Sequence, residues 1–105
     1  MAKVIKIKCL DQGKIEIEST KVIFDNETIH LKVEYPAGTE AWTKYLDIVI
    51  GSQRETVIQA ALSIDYVFKA QSAGTLYLQP YSTLEWLDLK WETSSVGIKK
   101  SLLPL

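Results

Sequence analysis

The sequence predicts an all-β domain, a sandwich of two antiparallel sheets with seven or eight strands. Three observations predict it. Apolar side chains at Ile29, Leu31, Val33 and Tyr35 alternate with polar ones at His30, Lys32 and Glu34. Successive strand residues point to opposite faces, so this segment carries one oily face and one wet face. The same alternation returns in Ile5-Lys6-Ile7-Lys8-Cys9 and in Lys14-Ile15-Glu16-Ile17-Glu18, and strands of this kind bury one side against a second sheet. Turn residues recur at short intervals, and no long helical period, internal repeat or low-complexity tract intervenes.

The first strand is read over Lys3 to Cys9 and ends in the turn residues Asp11-Gln12-Gly13. Lys14 to Glu18 returns as the second arm of a hairpin. Lys21 to Phe24 either continues that arm or begins a new strand, followed by the turn Asp25-Asn26-Glu27. Thr28 to Tyr35 is the clearest strand of the chain. Pro36 to Glu40 is a loop, because proline lacks a ladder donor and glycine tolerates unusual dihedrals. Lys44 to Ile50 follows, with Leu46, Ile48 and Ile50 on one face, and Gly51-Ser52 ends it.

In the second half, Thr56 to Ile64 reads as a strand with Ile58, Ala60, Leu62 and Ile64 facing in. Asp65 to Ala70 is open between a helical turn capped by Asp65 and carrying Val67 and Phe68, and continued strand. Ala73-Gly74 turns the chain into Thr75 to Gln79, with Leu76 and Leu78 inward, and Pro80 is expected to stop it. Thr83 to Glu92 is read as one strand with Leu87, Leu89 and Trp91 in the core. Ser94-Ser95 breaks it, Val96 to Leu102 is the last strand, and Pro104 blunts the tail.

At 105 residues and 47% apolar composition the chain is one domain, residues 1–105, with enough apolar residues for a core that needs no staples. Net charge is −1, from 12 basic and 13 acidic residues with interspersed signs. Neither a nucleic acid nor an anionic membrane finds a basic field here. The single cysteine, Cys9, excludes an intrachain disulfide and a cysteine-based zinc site. It shares a face with Ile5 and Ile7 and is expected to be buried. Met1-Ala2-Lys3 leads into alternating Lys and Ile, not an apolar run, so synthesis in the cytoplasm is expected. No segment approaches a membrane span.

No group of residues assembles a reaction. The lone histidine, His30, sits mid-strand beside Lys32 and Glu34, where a solvated strand face is expected. No Gly-flanked serine forms a nucleophile elbow, and no Gly-rich strand-to-helix turn cradles a phosphate. Glu16 and Glu18 share a strand face and point the same way, which does not suit a carboxylate pair flanking a glycosidic bond. Asp25, Asn26 and Glu27 read as a turn, with no second ligand set for calcium. No catalytic residue, metal site or cofactor is therefore expected.

The aromatic set is the remaining candidate. Trp42 lies beside the 36–40 loop, Tyr45 and Tyr77 fall on faces opposite the expected core, Tyr81 follows in the next turn, and Trp86 lies opposite Leu87. Exposed rings of this kind can serve a carbohydrate-binding module, with a surface glycan as ligand. The apolar C-terminus adds Leu103 and Leu105, which either contact a neighbour or fold over the sandwich edge.

Element order adds a resemblance. From Thr56 the chain reads strand, short turn (Ile64 to Phe68), Ala73-Gly74-Thr75-Leu76-Tyr77-Leu78-Gln79-Pro80-Tyr81, an aromatic-rich strand (Trp86 to Trp91) and a closing Val96-Gly97-Ile98-Lys99 strand. Over residues 28–102 this order resembles the small immunoglobulin-like domains of tail and baseplate proteins of phages of Gram-positive bacteria, the N-terminal domain of the baseplate upper protein among them. The resemblance implies an immunoglobulin-like sandwich and a non-enzymatic, virion-associated structural module. Its partners would be other virion or tail proteins, or further copies of itself. Proteins of that family usually continue into further domains.

Overall fold

The computed structural model describes residues 2–18 and 21–102, and these form ten strands with one 3-10 turn at Asp11–Gly13. The strands are β1 (Lys3–Cys9), β2 (Ile15–Glu18), β3 (Ile23–Phe24), β4 (Thr28–Glu34) and β5 (Thr43–Ile50). They continue as β6 (Gln53–Gln59), β7 (Ser63–Lys69), β8 (Gly74–Leu84), β9 (Leu87–Lys90) and β10 (Ser94–Lys99). Two sheets pack face to face. One has the order β2-β1-β4-β7, and the other β3-β10-β8-β5-β6 with β9 also paired to β8. The fold is an all-β sandwich, and among the described residues no helix is long and apolar enough to cross a membrane.

Alternation builds the core as expected. Ile5, Ile7 and Cys9 of β1 lie beside Leu31 and Val33 of β4, with Ile64 and Phe68 of β7 on the same inner face. Leu46, Ile48 and Ile50 of β5 and Leu76 and Leu78 of β8 face them from the other sheet, and all are buried.

Five features depart from the sequence reading. Neither sheet is wholly antiparallel. After the β1–β2 hairpin the chain visits the second sheet as β3 and returns beside β1, so β4 runs parallel to β1 and β10 parallel to β3.

Thr56 to Ile64 is not one strand. β6 ends at Gln59, residues 60–62 carry the chain between sheets, and β7 begins at Ser63. Val57 and Ile64 are buried, an odd number of positions apart, so the alternation resets at the crossing. Ile58, Ala60 and Leu62 consequently face outward, and Asp65 lies in a strand instead of capping a helical turn.

Pro80 does not stop a strand but lies inside β8. Leu78 pairs with Ser94 and Tyr81 with Lys90, so Gln79 and Pro80 face three residues, 91–93. That extra residue makes a bulge, one of the few places where a sheet tolerates proline. The bulge sets the break at 91–93, and Ser94 and Ser95 begin β10 instead of interrupting a strand; β10 ends at Lys99.

Thr83 to Glu92 is a hairpin, not one strand. Leu84 pairs with Leu87 across the two-residue turn Glu85-Trp86. Leu87 and Leu89 lie in phase with Trp91, but only Trp91 is buried. The opposing sheet does not reach far enough to cover the other two. The molecule is long, 51 × 25 × 21 Å.

Candidate docking arm

The hairpin β8–β9 is the most exposed apolar feature among the described residues. β8 is its longest strand, 11 residues. The inner phase of β8 runs Leu76, Leu78, Pro80, Ser82, Leu84, buried as far as Ser82. Cross-strand partners share a face, so Leu89 opposite Ser82 and Leu87 opposite Leu84 lie on that same side. Leu84, Leu87 and Leu89 are 41%, 52% and 40% exposed, and Trp86 at the tip is 96% exposed. The strip is the inner face of a sheet continued past the end of its partner layer.

The tip is held in an unfavourable backbone. Glu85 has φ 52°, whereas Trp86 stays at negative φ. A two-residue hairpin turn with positive φ at its first position favours glycine there. Non-glycine residues in this region cost on the order of 1–3 kcal/mol and cluster at functional sites.

The base of the arm is fixed. The buried Trp91 donates from Nε1 to the Leu10 carbonyl at 2.6 Å and from its backbone N–H to Pro80 O at 3.0 Å. It meets Tyr35 edge-on, with centroids 5.4 Å apart and rings at 80°. Tyr35 in turn donates to Tyr45 O at 2.7 Å, and its burial pushes the phenol pKa up. The Gln79 amide donates to Trp91 O at 2.6 Å. Beside Trp91 lies an open groove of about 480 Å³, floored by Leu10, Gly13, Pro36, Ala37, Leu89 and Trp91.

The other sequence-selected residues are not gathered there. Tyr45 and Tyr81 pair across β5 and β8 on the outer face and stack, 4.8 Å apart and 5° from parallel. That separation equals the spacing of neighbouring strands, so the rings stand upright and offer edges to solvent. Burial, Asp47, Tyr45 and Asp88 together raise the Tyr81 pKa. Tyr77 pairs with Val49 on the same face, away from the stack. Trp86 is not on the face opposite Leu87 but in the turn.

Trp42 is half-buried in the loop before β5, its N–H donating to Thr39 O at 3.0 Å. Leu103 and Leu105 lie outside the described residues.

Lys44 went unselected, although it is in phase with Leu46, Ile48 and Ile50. It is fully buried, and its Nζ donates to the carbonyls of Thr39 and Trp42, the latter at 2.6 Å. Desolvation lowers its pKa, with the Glu40 carboxylate acting against the shift. It ties the 39–42 loop to the sheet.

Elsewhere, His30 contacts Asp65 across the outer face of the first sheet. Asp25 and Glu27 accept backbone N–H bonds from Ser101 and Phe24, each at 2.8 Å, as turn caps do. Among the described residues no group of three or more His, Cys, Asp or Glu side chains is placed to hold a metal ion. The chain matches no protein-family model, no curated protein and no solved structure.

Proposed function

We propose that the protein is a non-enzymatic structural module of a phage or prophage virion, in the tail or baseplate, acting through interface area on neighbouring subunits. The observation that carries the docking role is the rooted hairpin with Leu84, Leu87 and Trp86 uncovered at its free end. Exposed apolar area of this kind, rimmed by charged residues, marks interaction sites. Tryptophan is also the residue type most enriched where interfaces concentrate their energy. The assignment to a tail or baseplate rests on the order of elements from Thr56 to Lys99.

Particles purified from the lysed producing strain on a density gradient test it. The chain is expected in the particle band by mass spectrometry. Its confinement to the soluble fraction at equal expression refutes the assignment.

The other reading, a carbohydrate-binding module, needs ring faces turned to solvent. Tyr45 and Tyr81 turn theirs toward each other, which leaves Trp86 as the exposed platform. Titration with cell-wall polysaccharides is expected to leave tryptophan fluorescence unchanged.

A further inference from the structure

The arm lacks a second layer, and we propose that a second copy of this chain supplies it. The inference rests on the docking role given above and names its occupant. Two arms pack inner face to inner face about a two-fold axis, and each Trp86 enters the groove beside Trp91 of the other copy.

Three observations lead there. First, the strip Leu84, Leu87 and Leu89 is a sheet face built for sandwich packing, and beyond Ser82 the described residues leave it about half exposed. An identical strip, rotated by the dyad, has the alternation and curvature of a facing sheet.

Second, projection and groove lie on one hairpin. Trp86 is the tip, and the groove is floored by Leu89 and Trp91, three to five residues toward the base. That is roughly 10–17 Å of strand, one arm's reach. A two-fold rotation then seats both tryptophans at once, and the contact closes at two copies.

Third, the area is of the right order. The four arm residues expose roughly 500 Å² of apolar surface, counting up to ~250 Å² for a fully exposed tryptophan. A specific interface buries at least about 1,000 Å² counted over both partners, and two such strips, one from each copy, reach that lower bound.

Strand addition along β9 is the competing geometry, and the fold obstructs it at the base of the arm. Gly13 O already accepts the Glu92 N–H at 2.7 Å, and a Cβ on Gly13 would lie 3.3 Å from Lys90 O. The 11–13 turn therefore covers the base end of the edge where a new strand would pair.

Sedimentation velocity of the full chain is expected to show a reversible monomer–dimer equilibrium. Trp86→Ser and Leu87→Lys, both at exposed sites, are each expected to weaken it by at least about thirtyfold while leaving the circular dichroism and melting temperature unchanged. Mixing Trp86→Cys chains with Ala37→Cys chains under oxidation is expected to give a disulfide-linked heterodimer.

A strict monomer into the hundreds of micromolar overturns the inference. So does a dimer indifferent to both substitutions, or open-ended growth beyond two copies. A strict monomer leaves incorporation into particles standing, and a dimer absent from particles leaves the self-contact standing, so the two failures are distinguishable.

Discussion

Replacing Trp91 with phenylalanine separates the anchoring of the arm from its exposure. The indole is buried, and its Nε1–H is the donor to the Leu10 carbonyl, 2.6 Å away and 81 positions earlier in the chain. Phenylalanine keeps the ring against Tyr35 but offers no donor. Leaving a part-buried carbonyl without its partner costs about 1–3 kcal/mol. The lost ring area adds on the order of 1 kcal/mol. Trp91→Phe should therefore destabilise the domain by about 2–4 kcal/mol, a large share of the ~5–15 kcal/mol that domains of this size possess.

Urea denaturation followed by far-UV circular dichroism reads this as a lower midpoint at constant slope. Hydrogen exchange should place the earliest loss of protection at Leu87 to Lys90, whose ladder ends at that anchor. A change under about 0.5 kcal/mol would refute the reasoning, because the Leu10 carbonyl would then have another partner and the arm another root.

Three more perturbations follow from the same inventory. Burial pushes the Cys9 thiol from 9.0 up to about 12, so the unfolded chain releases its proton first. The stability this confers is whole below pH 9 and is lost as pH rises from 9 toward 12. Between pH 8 and 10 wild type should lose about 1.4 kcal/mol that Cys9→Ala does not, measured as a double difference of urea midpoints; equal losses would show the thiol to be solvated. Lys44 has the opposite sign: its folded-state pKa is lowered, so its desolvation cost is fully present below that pKa and fades as pH climbs through it toward 10.5. Lys44→Met should cost about 1–3 kcal/mol at pH 7, as the Trp42 carbonyl loses its donor and the Thr39 carbonyl keeps only the Trp42 N–H, and a neutral result in urea would mean water replaces the ammonium. Glu85→Gly removes the positive-φ strain at the tip and should raise stability by about 0.5–1 kcal/mol; destabilisation would mean the carboxylate holds the turn.

Much of the fold was readable because strand alternation is a local signal. Ile5 to Cys9, Ile29 to Tyr35 and Leu46 to Ile50 each declare their inner face within a few residues. The signal fails where the chain changes layers. Counting Ile58, Ala60 and Leu62 in phase with Ile64 assumes one uninterrupted strand, and the crossing at 60–62 breaks that phase. It fails again at Pro80, whose place in β8 depends on a bulge in the neighbouring strand. For Leu87 and Leu89 the face was right and the burial wrong, since burial depends on how far the opposite sheet extends.

The candidate site divides along the same line. The outward setting of Tyr45 and Tyr77 follows from phase alone, whereas Tyr81, expected in a turn, shares it only because β8 runs on through Pro80. Trp86 needed a turn that no Gly or Asn announces: the strained position is filled by Glu85. Lys44 was legible by phase as an inward lysine, but only the loop carbonyls above it explain how the charge is held.

Two of the surfaces that could compete with the arm are blunted. On the outer face of the first sheet, Glu18 and Lys32 both flank Lys6, Asp65 follows Lys32, and Glu16 lies beside Lys8 next to Glu34. The Lys6–Glu18 pair, 3.4 Å apart and exposed, adds little stability. A lattice of mixed sign nonetheless suits an apolar partner poorly. The β6 edge carries an inward carboxylate: Glu55 pairs with Ile48 and accepts from the Tyr66 hydroxyl at 2.9 Å. Its second oxygen is buried without a partner, and an inward charge on an edge strand resists strand addition. Gln53 ties that edge to the other sheet, donating to Lys69 O and accepting from the Gln71 N–H, each at 3.0 Å. Beside these two guarded surfaces, an uncovered leucine strip ending in a tryptophan stands out.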